Sequence, residues 1–257
     1  YARIAKQLEQ GARARGYQLL IASSDDAPDS ERQLLKLFRA RRCDALFVAS
    51  CLPPEDDSYR QLQEVGMPII AIDRTLDPAR FCSVISDDCE ASLQLTRSLL
   101  QPMPQQIALI GARPELSVSQ ARAAGFKQAL DGFEGEILIE HGVAFSRECG
   151  RRIIDELLER LGHFPEALVT TSYVLLQGMF DALLDHPDQT PPRRLATFGD
   201  TQLLDFLPLP VNAMGQQHQL IAEKALDLAL AAIEEQRYEP GIRAIARTFK
   251  QRIHQAS

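Results

Sequence analysis

Residues 106–142, QIALIGARPELSVSQARAAGFKQALDGFEGEILIEHG, decide the fold that the sequence predicts. The apolar run QIALIG is followed by a stretch with apolar side chains at helical spacing and then by a second apolar run, EILIEHG. Short apolar runs are typical of buried strands, and a helix between two of them is typical of a parallel β–α–β unit. This stretch therefore predicts an α/β protein with a parallel sheet.

The same alternation extends in both directions along the chain. On the amino side we predict a helix over 1–15, strands over 18–24 (QLLIASS), 44–50 (DALFVAS) and 68–74 (PIIAIDR), and helices over 29–42, 55–66 and 89–100. On the carboxyl side we predict helices over 146–161, 173–184 and 219–236, and strands over 166–172 (EALVTTS), 194–200 (RLATFGD) and 242–249 (IRAIARTF). Such alternation indicates doubly wound sheets with helices on both faces.

The order of elements restarts after a short Pro-containing connector, QPMPQ at 101–105, which predicts two similar lobes. Each lobe contains a strand, a helix and a second strand in the same pattern: QLLIASS with CDALFVAS, then EILIEHG with PEALVTTS. We expect an N-terminal lobe of 1–102 plus 217–241 whose first strand is missing, and a C-terminal lobe of 103–216 plus 242–257. The two parallel-sheet lobes would be joined by a hinge of three chain crossings.

Composition excludes several classes of partner. A formal net charge of -7 argues against a broad nucleic-acid-binding face, which needs clustered Lys and Arg. No run approaches the roughly 18 apolar residues of a membrane span, so no membrane partner is predicted. Five cysteines without CxxC spacing indicate small buried residues in a reducing compartment, which favours the cytoplasm.

Polar residues follow the predicted strands, at the edge where ligands bind in parallel sheets. Asp73 and Asp200 each come after an apolar strand, where a carboxylate can accept two sugar hydroxyls. Either residue could instead be an ordinary helix N-cap, and the two together could be an acid and a base in an enzyme acting on sugar phosphates. Ser119 and Ser172 are further candidates for contacts to a ligand.

Three arginines could hold a phosphate group, because a guanidinium matches phosphate oxygens with two parallel hydrogen bonds. These are Arg74, Arg122 and Arg247, although an arginine on a helix is often only a solvated side chain. The sequence has no GxGxxG, GxxxxGK[ST], GxSxG or HExxH motif, and its five histidines lack metal-ligand spacing. We therefore expect no metal and no catalytic residue.

Three segments carry a resemblance to a known family: ARPELSVSQARAAGF, TFGDTQLLDFL and GQQHQLIAEKALDLAL. With these the chain resembles the effector-binding core of the lactose/galactose repressor family over nearly its whole length. The segments RGYQLLIASSDD, LPPE, AIDRTLD and TTSYVLLQG make it most similar to the fructose-repressor branch of that family.

The resemblance implies a periplasmic-binding-protein-like fold of class I and a non-enzymatic cytoplasmic regulator that works as a homodimer or homotetramer. It implies a helix-turn-helix headpiece, absent from this chain, that binds operator DNA. It implies no cofactor, fructose 1-phosphate as the effector that causes release of the operator, and fructose 1,6-bisphosphate as a weaker one. Two alternatives stay open: an enzyme acting on sugar phosphates, and a sugar-binding transport protein of the same fold.

By their place in the motifs, several residues match the ligand contacts of the family. They are Asp73, Arg122 after the SVS turn, Phe145 as an aromatic that packs on the ligand, Ser172, Asp200 and the hinge glutamine Gln216, with Arg74 and Arg247 beside them. Ser172-Tyr173 departs from the Asn-Asp that most relatives have there, which puts recognition of a hydroxyl at this place in doubt.

Overall fold

A computed structural model describes residues 1–52, 56–64 and 66–252, so Pro53, Pro54 and Glu55 of the LPPE motif lie outside the described residues. The chain forms two compact units and passes between them three times. The N-terminal unit contains Tyr1–Ser86 and Gln217–Ala246, and the C-terminal unit contains Asp87–Gln216 and Arg247–Ser257. Each unit is an α/β structure with a mainly parallel sheet, which confirms the predicted fold class.

The N-terminal unit is a parallel sheet with helices on both faces. In chain-order numbering its elements are strands β1 (Leu46–Val48), β2 (Ile69–Ile72), β3 (Cys82–Ser86) and β9 (Gly241–Ile245) and helices α1 (Ala2–Ala14), α2 (Pro28–Ala40), α3 (Ser58–Glu64) and α8 (His218–Glu234). The strand order is β1-β2-β3-β9. Successive side chains point to opposite faces, so Ile70 packs with α1 and α8 while Ile69 packs with α2 and α3.

The C-terminal unit has a six-stranded sheet in the order β10-β8-β7-β6-β4-β5. Its strands are β4 (Gln106–Ala112), β5 (Glu136–Gly142), β6 (Ala167–Thr170), β7 (Arg194–Phe198), β8 (Val211–Gly215) and β10 (Thr248–Lys250), and its helices are α4 (Asp88–Arg97), α5 (Ser117–Ala129), α6 (Arg147–Leu161) and α7 (Tyr173–Asp185), with a 3-10 helix at Gln202–Phe206. Only β10 is antiparallel, to β8. Leu109 faces α4 and α5, and Ile110 faces α6 and α7.

One boundary between the units follows Gln216, where the sequence analysis places it, and the other two lie elsewhere. Helix α4 belongs to the C-terminal unit rather than to 1–102 because it packs closely on α5. A Cβ atom on Gly125 would lie 2.0 Å from the carbonyl oxygen of Cys89, and Ser92 Oγ donates to the Arg122 carbonyl at 2.6 Å. Strand β9 belongs to the N-terminal unit rather than to 242–257 because it pairs with β3.

The predicted strand at 18–24 is wrong. Residues 18–23 make no backbone hydrogen bond to other described residues, and Leu20 and Ile21 are largely exposed. A groove of about 690 Å³, lined by residues 17–26 and 43–49, lies beside β1. Without a hydrogen-bonded partner the segment does not form a strand.

Strands β3 and β8 were not predicted from the sequence: only a helix over 89–100 was expected after β2 in this part of the chain, and no element was predicted for 210–217. The predicted last strand, 242–249, is divided at Ala246 into β9 of one unit and β10 of the other.

No helix of the described residues is long and apolar enough to cross a membrane. All five cysteines are free, but only Cys82 and Cys149 are buried.

Candidate functional site

The nine predicted site residues are divided between the two units. Asp73 and Arg74 lie in the N-terminal unit, and the C-terminal unit contains Ser119, Arg122, Phe145, Ser172, Asp200, Gln216 and Arg247. Within the C-terminal unit the structure brings Arg122 and Arg247 together around one carboxylate, and it places Asp200 beside a different arginine.

Arg122 is a buried arginine on α5, with 8% of its surface exposed. Its Nη1 donates to the carbonyl oxygen of Thr171, at the end of β6, over 2.6 Å. Its Nε and Nη2 donate to Asp88 Oδ1 and Oδ2 at 3.2 and 3.4 Å. The guanidinium is therefore fixed at the carboxyl edge of the sheet from two directions, and it is not a solvated helix side chain.

Arg247 reaches the same carboxylate from the last crossing between the units. Its Nε donates to Asp88 Oδ1 at 2.7 Å, and the side chains of both residues are 4% exposed. The guanidinium carbons of Arg122 and Arg247 lie 4.4 and 5.3 Å from the centre of the Phe198 ring. An aromatic face attracts cations, so Phe198 further favours this placement. Asp88 and Phe198 were not predicted as site residues.

The cluster of Arg122, Arg247 and Asp88 brings two buried guanidinium groups to one buried carboxylate. Buried charge is costly unless it is paired, and guanidinium groups pair well with planar or tetrahedral oxyanions. This arrangement suits a phosphate group better than a neutral sugar.

Two hydroxyl groups beside Arg122 have no hydrogen-bond partner among the described residues. They are Thr171 Oγ1 and Ser172 Oγ, both fully buried. Ser172 precedes α7 without capping it. Ser119 is different, because its Oγ donates a hydrogen bond to the Ala112 carbonyl at 2.7 Å. Its hydroxyl proton is therefore not available to a ligand.

Asp200 follows β7 after Gly199, whose φ of 97° few other residues adopt. Its Oδ1 accepts a hydrogen bond of 2.7 Å from Arg252 Nη2, and its side chain is 30% exposed. The 3-10 helix that follows is capped by Thr201, not by Asp200. The N-cap alternative for Asp200 is therefore wrong, and Arg252 is a partner that the sequence analysis did not identify.

Phe145 and Gln216 are the other predicted residues of this unit. Phe145, in the connection from β5 to α6, is half-buried and packs against the core that α6 and α7 share. Gln216 is half-buried directly after β8, at the second boundary between the units.

In the N-terminal unit, Asp73 follows β2 in a left-handed conformation with a φ of 68°. Its Oδ2 accepts a hydrogen bond of 2.9 Å from the Tyr1 hydroxyl. The neighbouring Asp73 carboxylate raises the pKa of Tyr1 above its usual value, so the phenol stays a donor. A non-glycine residue with positive φ is strained, and such strain is concentrated at functional sites.

Arg74 is 6% exposed and pairs with Asp26 through two hydrogen bonds, of 2.6 and 3.1 Å. Burial disfavours its charge, but the hydrogen bonds that Arg74 donates to the Asp26 carboxylate outweigh burial and raise the pKa of Arg74. Its Nε is buried without a partner among the described residues. Arg74 is thus a permanent cation at this sheet edge, already bound to a carboxylate.

The described residues contain no group of three or more His, Cys, Asp or Glu side chains that could hold a metal ion. The chemistry available in the C-terminal unit is that of fixed donors and acceptors: two guanidinium groups, a carboxylate with one open oxygen, and buried hydroxyls.

Known proteins with similar sequences are regulators. Residues 1–186 match the family described as periplasmic binding proteins and sugar binding domain of LacI family. The fructose operon regulatory protein of Vibrio cholerae is 47% identical over 98% of this chain and 77% of its own length. The catabolite repressor/activator of Escherichia coli is 39% identical over 98% of this chain and 76% of its own length.

A solved structure is also similar. The crystal structure of the Cra transcriptional dual regulator from Pseudomonas putida, in complex with fructose 1-phosphate, is 73% identical in sequence with a TM-score of 0.96, over 98% of this chain and 94% of that one.

These comparisons confirm the resemblance drawn from the sequence motifs, including the fructose-repressor branch. The relatives are transcription regulators, so the comparisons support neither the sugar-phosphate enzyme nor the transport protein. The chain is the effector-binding domain of a transcription regulator, and it belongs to the family of periplasmic binding proteins and sugar-binding domains of LacI-type regulators.

Proposed function

We propose that this chain binds fructose 1-phosphate as an effector, without changing it chemically, and thereby releases operator DNA. The observation that carries the proposal is the pair of buried guanidinium groups, Arg122 and Arg247, that share Asp88 above the Phe198 ring. A phosphate dianion matches guanidinium groups in charge and in hydrogen-bond geometry. Each charge-assisted hydrogen bond contributes roughly 1.5 to 3 kcal/mol to binding. Two or three such bonds therefore account for much of the roughly 8 kcal/mol of binding free energy of a micromolar complex.

The sugar would be recognised by the polar groups at the strand ends. Asp200 Oδ2 accepts no hydrogen bond from the described residues, and Thr171 and Ser172 hold unpaired buried hydroxyls. The complex of the Pseudomonas putida regulator with fructose 1-phosphate supports this ligand for our chain. We place fructose 1,6-bisphosphate second, as a weaker effector, and we propose no cofactor.

Fructose 1-phosphate should raise the melting temperature of the chain. A ligand at about 100 times its Kd adds about 2.7 kcal/mol, which corresponds to about 5 to 10 °C for a chain of this size. Fructose lacks the phosphate that the arginines bind and should produce no shift, and fructose 6-phosphate and fructose 1,6-bisphosphate should produce smaller ones. Thermal shift over this panel tests the proposal, and an equal shift with unphosphorylated fructose would contradict it.

Operator DNA would be contacted outside these 257 residues. A net charge of -7 is unfavourable for binding a polyanion, and the curated relatives reported above are longer than the chain. We propose that a helix-turn-helix headpiece makes the contact in the cytoplasm. The effector would bind one of two conformational states of the domain more tightly than the other, and only one state would favour operator binding. The resulting coupling free energy is typically about 1 to 3 kcal/mol.

We further propose that the regulator is a homodimer or homotetramer. Leu203 and Phe206 on the 3-10 helix are 62% and 82% exposed, and residues three apart lie on one face of such a helix. We infer that these two apolar side chains lie on a surface that another subunit covers.

Replacing Phe206 by glutamate should weaken self-association, because the charge would have to be buried against the partner subunit. Sedimentation velocity should show the wild-type oligomer converted at least partly to monomer, with an unchanged circular dichroism spectrum. Met103, which is 63% exposed outside this helix, provides the control, and Met103→Glu should leave the oligomer intact. Equal sedimentation of wild type and Phe206→Glu would remove this helix from the interface.

A further inference from the structure

Arg252 connects the Asp200 carboxylate to the body of the C-terminal unit. Its side chain is only 8% exposed, and its Nη2 donates to Asp200 Oδ1 at 2.7 Å. Its Nε donates to Asp205 Oδ1 at 2.8 Å. One guanidinium therefore orients two carboxylates, one after β7 and one in the 3-10 helix.

The backbone of β8 fixes Arg252 in turn. Arg252 Nη1 donates to the Val211 carbonyl at 3.0 Å, and the amide of Arg252 donates to Asn212 Oδ1 at 2.9 Å. Asn212 is buried and donates to Ser98 Oγ at 2.8 Å. The position of the guanidinium is thus set by a central strand rather than by solvent.

Lys250 completes a network of balanced charge with Arg252 and the two carboxylates. Lys250 Nζ donates to both oxygens of Asp205, at 2.7 and 2.9 Å, and forms no ion pair with Asp200 among the described residues. Lys250 and Arg252 together hold the pKa of Asp205 below its usual value. Since Lys250 compensates Asp205, Arg252 is left to compensate and orient Asp200.

We propose that Arg252 is the positioning residue for Asp200: it holds Oδ1, so that Oδ2 is presented as a fixed acceptor for a sugar hydroxyl. This inference rests on the proposed function, in which Asp200 recognises the sugar of a sugar phosphate. A carboxylate fixed by a buried guanidinium loses little freedom on binding, and loss of that constraint weakens the contact even though Asp200 remains. Arg252 would then determine the preference for the sugar phosphate over phosphate alone.

The test is calorimetry with fructose 1-phosphate, and thermal stabilisation with inorganic phosphate, on the 257-residue chain. Arg252→Gln should weaken binding of fructose 1-phosphate about tenfold and leave stabilisation by phosphate as in wild type. Lys250→Gln is the matched control, because it changes the same network without touching Asp200, and both readouts should stay within about twofold of wild type. Arg252→Lys keeps the positive charge but lacks the several N–H donors of the guanidinium, so it should weaken fructose 1-phosphate binding by an intermediate amount.

The double variant distinguishes positioning from a merely structural role. Asp200→Asn should weaken fructose 1-phosphate binding by itself, and adding Arg252→Gln should then weaken it no further. An equal loss in both backgrounds, an equal loss with phosphate, or wild-type binding by Arg252→Gln would overturn the role of Arg252. Should Arg252→Gln fail to fold, wild-type affinity in Arg252→Lys would overturn it as well. A wild-type chain that binds no fructose 1-phosphate would instead refute the proposed function.

Discussion

Replacing Arg122 by alanine is expected to lower the affinity for fructose 1-phosphate by two to three orders of magnitude. The variant removes up to two charge-assisted hydrogen bonds to the phosphate, about 3 to 4 kcal/mol. The fold should persist, because Asp88 keeps its 2.7 Å bond to Arg247. Titration calorimetry gives the affinity, and circular dichroism melting reports whether the fold is retained.

Arg147→Ala is the matched control for this experiment. Arg147 lies in the same unit, but its side chain is 58% exposed and pairs with Asp181 at the surface. We expect wild-type affinity for this variant, since exposed ion pairs contribute at most about 1 kcal/mol to stability. Unchanged binding of fructose 1-phosphate by Arg122→Ala would show that the phosphate is held elsewhere.

The second large effect concerns stability and follows from Asp88. Asp88→Asn would leave two buried guanidinium groups without the carboxylate that both of them bind. Removing one partner of a buried ion pair typically costs about 3 to 5 kcal/mol, and we expect the free energy of unfolding of the C-terminal unit to fall by that amount. Urea unfolding followed by circular dichroism measures it.

Inorganic phosphate should partly restore the stability of Asp88→Asn, because an oxyanion can take the place of the lost carboxylate between the arginines. Phosphate should therefore raise the free energy of unfolding more in the variant than in wild type. Glu156→Gln is a suitable control, since this glutamate is 67% exposed and should change the free energy of unfolding by less than about 0.5 kcal/mol. A variant as stable as wild type would show that Asp88 does not compensate the arginines.

The sequence predicts β4, β5, β6 and β7 of the C-terminal sheet because these strands are apolar runs separated by helices, and it misses β8 and the division that gives β10. It does not reveal β3, whose sequence CSVIS alternates serines with apolar residues and is followed directly by Asp87 and Asp88. It also places a lobe boundary in the connector at 101–105, which joins α4 to β4 within one unit. A Pro-containing loop indicates a break between elements, not a break between units.

The site was predicted in part. Strand-end positions and family motifs identify Arg122, Arg247 and Asp200, which the structure places in buried or partly buried ion pairs. Asp88 is separated from its two arginines by 34 and 159 residues, and Arg252 from Asp200 by 52. Spacing along the chain cannot reveal contacts of that range. Asp88 stands in a helix start, SDDCE, where an acidic residue is the usual choice for capping alone.

The groove beside β1 has a consequence for handling the protein. Leu20 and Ile21 are 58% and 65% exposed in a segment whose backbone amides and carbonyls find no partner among the described residues. An open strand edge next to such a segment is a template on which another polypeptide can add by β-pairing. Concentrated samples of these 257 residues are therefore most prone to aggregate through the N-terminal unit, and charged substitutions at Leu20 or Ile21 would be the first to consider for solubility.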